Sequence, residues 1–512
     1  METVMSSPAP QKKNIFLRCL GAVGNFFKGI GLGILNFFKN IGLGIARFFK
    51  GLYIKFVDGS VGTKLSFLIF GAGNFYHKQF IKGFIFLAIQ ALFWVFMITS
   101  PVVNGTPYGF KALANLALQG SDGKMVYDPV TMEMVLVGKS DSFLMLLFGL
   151  TTIAAIILYL VVWCLNISSS YKADQDAKKG VMASTFKQDC GELLDSKFHV
   201  LMLTPTCLAA LIFTLLPTIL MICIAFTSYN LPAMQMDNTT LFHWVGFKNF
   251  TEMFNTSSTS RLGSEISNRF FPILGWTLIW AVFATFTCYF GGILLALLIN
   301  KKGIKGKKIF RTIFILTIAV PQFISLLACR NLFGEWGPIN NIISALGGDK
   351  VVFLGTENGT QNEIVAKVTV IVINMWLGIP YTMLMTSGIL MNIPQDLYEA
   401  GTVDGASKSK MFFKITLPYV IFITTPYLIG SFVGNINSFN TIFLLTGGGP
   451  THRPYIGGGT DLLVTWLYKL TIDDKQYNTG AIIGLLTFLI TATITLITYR
   501  RSKAYNEEDT FQ

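Results

Sequence analysis

Ile393-Pro394-Gln395-Asp396-Leu397-Tyr398-Glu399-Ala400-Gly401-Thr402-Val403-Asp404-Gly405-Ala406, running on to Phe412, Ile415, Leu417 and Pro418, is a polar interruption between two long apolar segments. Flanked in that way, it reads as a short excursion out of a membrane. Helix formers alternate with charge at Asp396, Glu399, Asp404, Lys408, Lys410 and Lys414. Pro394 suits a helix start, where a missing N–H costs nothing. Gly405 permits a tight turn. The stretch therefore reads as a short helix, a turn and a second short helix on the membrane surface, with Pro418 opening the next span. A plain solvated loop is the alternative that spacing alone leaves open.

Composition supports the membrane reading. Of 512 residues, 52% are hydrophobic and 13% charged, against about 25% charged in a soluble domain. The missing charge is missing in long runs, the mark of an all-α polytopic membrane protein. A net charge of +13 then belongs to loops. No soluble face gathers it, so nucleic acid is not an expected partner.

Eight segments have the roughly 20 apolar residues that a spanning helix needs: 80–103, 143–166, 199–227, 272–300, 309–329, 367–391, 418–446 and 479–499. Pro321, Pro380 and Pro426 fall inside spans and suggest kinks that neighbouring helices repair. Alternate loops differ in basic residues: 27 of the 40 Lys and Arg lie before residue 80 and in 167–198, 301–311, the Ile393–Pro418 loop and the tail. By the positive-inside rule these face the cytoplasm, as do both termini. The expected organisation is a cytoplasmic arm over 1–62, a three-span region over 63–227, an external loop over 228–271, a core over 272–500 and a tail over 501–512.

The arm carries an eleven-residue repeat: Phe26-Phe27-Lys28, Phe37-Phe38-Lys39 and Phe48-Phe49-Lys50, with Ile30, Ile41 and Leu52 in register. Eleven residues make three helical turns with little drift, so like residues share a face. The expectation is an interfacial helix with lysines at anionic headgroups; a Gly-weakened arm is the alternative. Residues 63–83 are expected to form a surface hairpin before the first span.

The chain contains no engine of its own. A phosphate-cradling loop needs Gly-x-x-x-x-Gly-Lys-Ser/Thr; the nearest approach, Gly138-Lys139-Ser140, has Glu133 at the first glycine position. The seven cysteines form no Cys-x-x-Cys pair, so no zinc site or disulfide framework is indicated, and core packing is their expected role. Spans almost free of acids argue against a proton-coupled carrier, which usually buries a relay residue; a sodium-coupled carrier stays open. The polar residues left in the spans are uncharged and suit a neutral, hydroxyl-rich cargo. Ser431, Asn435 and Ser438 fall at i, i+4 and i+7, within about 60° of one another on a helix. Trp376, Gly378, Pro380 and Tyr381 combine two aromatic rings with an expected helix break, and Pro321-Gln322 pairs a kink with an amide. Helix–helix glue is the competing reading of each.

Glu399-Ala400-x-x-x-Asp404-Gly405-Ala406, followed by Ile415-x-Leu417-Pro418, resembles the coupling loop of binding-protein-dependent ABC importer permeases. Gly401 departs from it, standing where that family usually has a second Ala. Asn374-Met375-Trp376-Leu377-Gly378-Ile379-Pro380-Tyr381, Leu445-Thr446-Gly447-Gly448-Gly449-Pro450 and Gly459-Thr460-Asp461-Leu462-Leu463-Val464 are similar to the large membrane subunit of maltose/maltodextrin importers, and Thr63-Lys64-Leu65-Ser66 through Lys82-Gly83 to their Gram-positive branch.

The resemblance implies a type I ABC importer permease fold in the cell membrane of a bacterium. Partners would be a second permease subunit, an ATPase subunit dimer carrying ATP and Mg, and an extracellular sugar-binding lipoprotein; this chain would bind no cofactor. The implied coupling residues are Glu399, Ala400, Asp404, Gly405, Ala406, Ile415, Leu417 and Pro418. The implied sugar site is Gln322, Leu377, Gly378, Tyr381, Ser431, Gly434, Asn435 and Ser438, with Tyr381 stacking on a pyranose ring. Ile318 and Gly434 stand where the Gram-negative maltose member has aromatic rings, and Ser438 where it has an amide. Malto-oligosaccharide is the implied cargo, with galacto-oligosaccharide the alternative.

Overall fold

The computed structural model describes residues 36, 39–40, 42–103, 106–117, 124–128, 133–137, 141–182, 184–230, 241–255, 261–301, 305–355, 363–450 and 457–501. Two compact units divide the chain: Met1–Ala117 with Leu147–Thr214, and Leu118–Leu146 with Leu215–Gln512. Seven helices among the described residues are long and apolar enough to cross a membrane, or eight if one bent pair counts as a span. Among the described residues the protein is all-α apart from two hairpins between spans, β1 (Val102–Val103) with β2 (Thr106–Pro107) and β3 (Lys124–Asp128) with β4 (Glu133–Val137).

The first unit begins with α1 (residues 42–58), whose Leu43, Ile45, Phe48 and Phe49 are exposed. Of the earlier copies of the repeat, Lys39 alone falls among the described residues, and the rest lies outside them. Next come α2 (Val61–Leu65), α3 (Ala72–Tyr76), α4 (Phe80–Thr99) and α5 (Gly109–Ala117). Then follow α6 (Ser142–Lys178), α7 (Phe186–Leu194) and α8 (Phe198–Ala210). The expected surface hairpin over 63–83 is instead a helix pair with a buried polar face. Asp174 of α6 accepts from the Ser60 N–H at 2.7 Å and the Ser60 hydroxyl at 2.6 Å, and is bonded by Thr63 and paired with His77. Asn166 donates to the Ser66 carbonyl at 2.9 Å and accepts from the Gly71 N–H at 2.8 Å. A buried carboxylate is tolerable only with such a full set of donors, and this one fixes the α2–α3 turn onto α6.

The second unit holds α9 (Leu216–Ala225), α10 (Lys248–Phe254), α11 (Arg261–Asn300), α12 (Lys307–Ala319), α13 (Gln322–Leu332), α14 (Pro338–Ala345) and α15 (Glu363–Met391). It continues through α16 (Gln395–Val403), α17 (Lys408–Met411), α18 (Leu417–Ile436), α19 (Phe439–Thr446), α20 (Leu463–Tyr468) and α21 (Tyr477–Arg501). The core between them centres on Trp276, Trp280, Leu326, Val370, Ile373, Ile442, Leu445 and Leu462, all buried.

Three expected boundaries change. The 228–271 loop contains α10 and the first turns of α11, and Phe247 and Phe250 pack on Phe226. The 418–446 segment is two helices, because the chain leaves α geometry at Asn437 and Ser438. Pro380 does not break α15, which runs unbroken from Glu363 to Met391.

Glycine sets how closely the two central helices pack. A Cβ on Gly378 of α15 would lie 2.6 Å from the Cys288 sulfur of α11, and one on Gly292 would lie 2.5 Å from the Thr382 Cβ. Small residues at such crossings let backbones approach in a membrane.

Candidate functional site: a neutral cavity and a polar helix–turn–helix loop

The 309–329 segment folds as two helices, α12 and α13, that meet at 96°. Proline at 321 explains the break: it drives the preceding residue out of the helical region, and Val320 is extended at φ −79°, ψ 128°. Gln322 starts the new helix at the mouth of a cavity of about 580 Å³.

Four stretches wall this cavity. The α12–α13 bend contributes Ile318 and Gln322; α15 contributes Asn374, Leu377, Gly378 and Tyr381; α18 contributes Tyr427, Ser431, Gly434 and Asn435. From α11 come Thr285, Cys288 and Tyr289. Seven of the eight residues that the family resemblance implies as a sugar site thus line one cavity. Ser438 does not. The break at Asn437 cuts the expected i, i+4, i+7 stripe short, and the Ser438 hydroxyl donates to Thr441 Oγ1 at 3.1 Å. Trp376, on the expected aromatic face of α15, is 55% exposed and outside the lining.

The lining contains no Asp, Glu, Lys, Arg or His. Its polar character comes from amides and hydroxyls. Asn435 Nδ2 donates to Thr285 Oγ1 at 2.9 Å, while its backbone carbonyl accepts from Trp280 Nε1 at 3.1 Å. Asn374 Nδ2 donates to Cys288 Sγ at 3.5 Å. The Tyr381 and Tyr427 rings lie 5.9 Å apart at 32°, and Tyr381 is half exposed. Aromatic faces beside neutral hydrogen-bonding groups suit a polyhydroxylated ring, which offers apolar C–H faces and a rim of hydroxyls. Thr285, Cys288 and Tyr289 escaped sequence reading because they sit singly on a long apolar span. The one available signal was their i, i+3, i+4 spacing.

On the loop, α16, a left-handed Gly405 (φ +69°) and α17 form the expected helix–turn–helix. The turn closes through the Gly405 N–H to the Thr402 carbonyl at 3.0 Å and the Ala406 N–H to the Gly401 carbonyl at 2.9 Å. Ser407 caps α17 by accepting from the Lys410 N–H at 3.3 Å. A π-helical turn, Phe412–Thr416, then leads into α18, with Pro418 in its first turn. Glu399, Ala400, Asp404 and Gly405 are exposed; Ala406, Ile415 and Leu417 are half-buried. Gly401 faces Met411 and Ile415, whose nearest atoms would lie 3.4 Å and 3.5 Å from an added Cβ.

The glycine-rich motifs at the far end of the core meet each other rather than the cavity. Asp461, fully buried, accepts from Lys469 Nζ at 2.8 Å, the Gly458 N–H at 2.6 Å and the Thr465 hydroxyl at 2.9 Å. Gly448 (φ +87°) lies so close that its Cβ would be 1.9 Å from Asp461 Oδ1. Thr460 Oγ1 lies 2.8 Å from Thr446 Oγ1, and its carbonyl accepts from Trp276 Nε1 at 3.1 Å. This is a structural clasp around the ends of α11, α19 and α20.

A family model described as binding-protein-dependent transport system inner membrane component matches residues 288–504. The galactooligosaccharides transport system permease protein GanP of Bacillus subtilis is 31% identical over 447 residues, covering 86% of this chain and 97% of the relative. The maltodextrin transport system permease protein MdxF of the same organism is 32% identical, with coverage of 86% and 95%. The maltose/maltodextrin transport system permease protein MalF of Salmonella typhimurium is 38% identical over 267 residues, 51% of this chain and 49% of that one. Among solved structures, a bacterial alginate ABC transporter in complex with an alginate pentasaccharide-bound periplasmic protein matches with a TM-score of 0.48 and 24% identity, covering 62% of this chain and 98% of that one.

Proposed function

Because the chain belongs to the binding-protein-dependent transport system inner membrane component family and is a multi-pass plasma-membrane protein, we propose that it carries malto-oligosaccharides into the cell. It does so as the permease subunit of an ATP-driven importer. The similarity to maltodextrin and galactooligosaccharide permeases along 86% of the chain carries this reading. The charge-free cavity supports a neutral glycan as cargo. A galacto-oligosaccharide is the second reading, favoured by the equally extensive similarity to GanP.

In this proposal both termini and the Ile393–Pro418 loop face the cytoplasm. A separate ATPase dimer binds ATP and Mg and grips α16 through Glu399 and the Gly405 turn; a second permease subunit completes the pathway, and an external lipoprotein delivers the sugar. ATP-driven closure of the dimer moves α16 as a lever. Its motion reaches α18, which carries Ser431 and Asn435 at the cavity, and access alternates between the two sides without covalent chemistry. Tyr381 stacks on a pyranose ring while Gln322, Ser431 and Asn435 meet hydroxyls.

Uptake of labelled maltotriose and galactobiose by a deletion strain tests the cargo. Loss of maltotriose uptake, restored by this chain, is the expected result; loss of galactobiose uptake alone moves the assignment to the second reading. Replacing Glu399 or Gly405 is expected to lower both transport and sugar-stimulated ATP hydrolysis. Unchanged transport after the Glu399–ATPase contact is broken removes that residue from the coupling path.

A further inference from the structure

The two cavity asparagines, Asn374 and Asn435, share a feature that their sequence positions do not suggest. Each donates from its nitrogen to the same cavity-lining face of α11. Asn435 Nδ2 reaches Thr285 Oγ1 and Asn374 Nδ2 reaches Cys288 Sγ. Thr285 and Cys288 are three residues apart, so they form one ledge on one side of the helix. The Cys288 thiol in turn donates to the Asn374 backbone carbonyl at 3.6 Å, making that contact reciprocal. Trp280 Nε1 occupies the Asn435 backbone carbonyl. That leaves each amide its second N–H and its Oδ1, and neither Oδ1 has a protein partner among the described residues.

We propose that Thr285 and Cys288 are positioning residues that hold Asn435 and Asn374 with their carbonyl oxygens toward the ligand. The cavity thereby selects cargo that donates hydrogen bonds. This rests on the proposed function and deepens it by assigning a polarity to the site. An amide left free presents either end; one with an N–H tethered to α11 keeps its carbonyl oxygen as the freer end. Neutral hydroxyls donate to it. A carboxylate or phosphate does not, and no cationic side chain lines the cavity to compensate. Uronate-bearing or phosphorylated glycans are therefore disfavoured at these two asparagines, with no cation in the lining to offset their charge.

Replacement of Asn435 by Asp and by Leu in the assembled importer, reconstituted in proteoliposomes, separates the possible polarities. Aspartate keeps the acceptor, and the Thr285 hydroxyl turns to donate to it; leucine removes the acceptor. Maltotriose uptake is expected to stay within about threefold of wild type in N435D and to fall more than tenfold in N435L. Thr285→Val is expected to raise KM for maltotriose about tenfold with maximal rate retained, and Thr285→Ser to restore it. Digalacturonate is expected not to enter.

N435D as damaging as N435L, or efficient digalacturonate uptake, overturns the inference. If T285V does not assemble, the Asn435 pair decides alone. Uptake of galactobiose in place of maltotriose by wild type corrects the cargo, and the same variants are then scored on galactobiose. Uptake of neither sugar overturns the proposed function and this inference together.

Discussion

The Tyr398 hydroxyl and Thr416 Oγ1 lie 2.8 Å apart, joining the loop helix α16 to the π-helical turn that opens α18. Thr416 is buried, and a groove of about 480 Å³ bordered by Leu297, Phe412 and Phe413 runs beside the pair. Together with the packing of Met411 and Ile415 on Gly401, this bond makes α16 and the base of α18 move as one piece. Removing only the hydroxyl, as in Tyr398→Phe, forfeits one hydrogen bond of about 1 kcal/mol. Sugar-stimulated ATP hydrolysis in the reconstituted complex is expected to fall about fivefold while subunit assembly, read by co-purification, is kept. Thr416→Val is expected to match it, and the double variant to be no worse than either single one. Additive losses would show that the two side chains act separately.

Gly401→Ala is expected to be stabilising. The added Cβ meets Met411 and Ile415 at ordinary contact distances, and replacing Gly by Ala inside a helix contributes roughly 0.5–1 kcal/mol. Thermal unfolding of the purified complex should move upward with transport retained; a downward shift would mean that α16 needs the flexibility of glycine.

Asp461→Ala is expected to be among the most damaging single changes outside the cavity. It strands the partly buried Lys469 and leaves the Gly458 N–H and the Thr465 hydroxyl without their acceptor. Breaking a buried pair from one side costs about 3–5 kcal/mol. Gly448→Ala should damage the same clasp from the opposite direction, since no side chain fits against Asp461. Expression level and thermal stability of the complex check both. Near-wild-type stability for Asp461→Ala would contradict the clasp.

Asp474 gives the loop before α21 a pH dependence. Burial, and then the neighbouring Asp473 charge, push its carboxyl up to about 6 from 3.8, with Lys469 pulling weakly the other way. The native state therefore binds its proton more tightly than the unfolded chain does. Its stabilising contribution is full below pH 3.8 and is lost as pH rises through about 6. Hydrogen exchange over residues 469–476 is expected to speed up between pH 4 and 7, after correction for intrinsic rates, and Asp474→Asn should flatten that dependence. An unchanged profile in the variant would assign the effect to another group.

Much of the permease core could be read from the chain, for identifiable reasons. Span positions followed from charge-free runs, and the Pro321 break from the steric demand of proline on Val320. The Asn437 break was illegible because neither proline nor glycine marks it. Ser438 therefore kept a place in a stripe that the helix never completes. Pro380 failed in the opposite sense: the packing of Gly378 on Cys288 and of Gly292 on Thr382 holds α15 helical through it. Thr285 and Cys288 looked like ordinary residues of an apolar span, since only tertiary contact sets them against Asn435 and Asn374. The Asp174 cluster was hidden for the same reason, its partners lying more than ninety residues apart along the chain. Gly401, irregular as a letter, is an ordinary helical position with room to spare.

A cavity lined by no carboxylate, amine, guanidinium or imidazole among the described residues has an electrical consequence. Moving one elementary charge through the membrane potential is worth about 2.3 kcal/mol per 100 mV. The lining of this cavity contributes none, and a neutral oligosaccharide adds none. Rearranging the lining around its cargo therefore displaces no charge across the field. The lining therefore gives the binding of a neutral cargo in this cavity no coupling to the voltage of the cell, whether it is energised or depolarised.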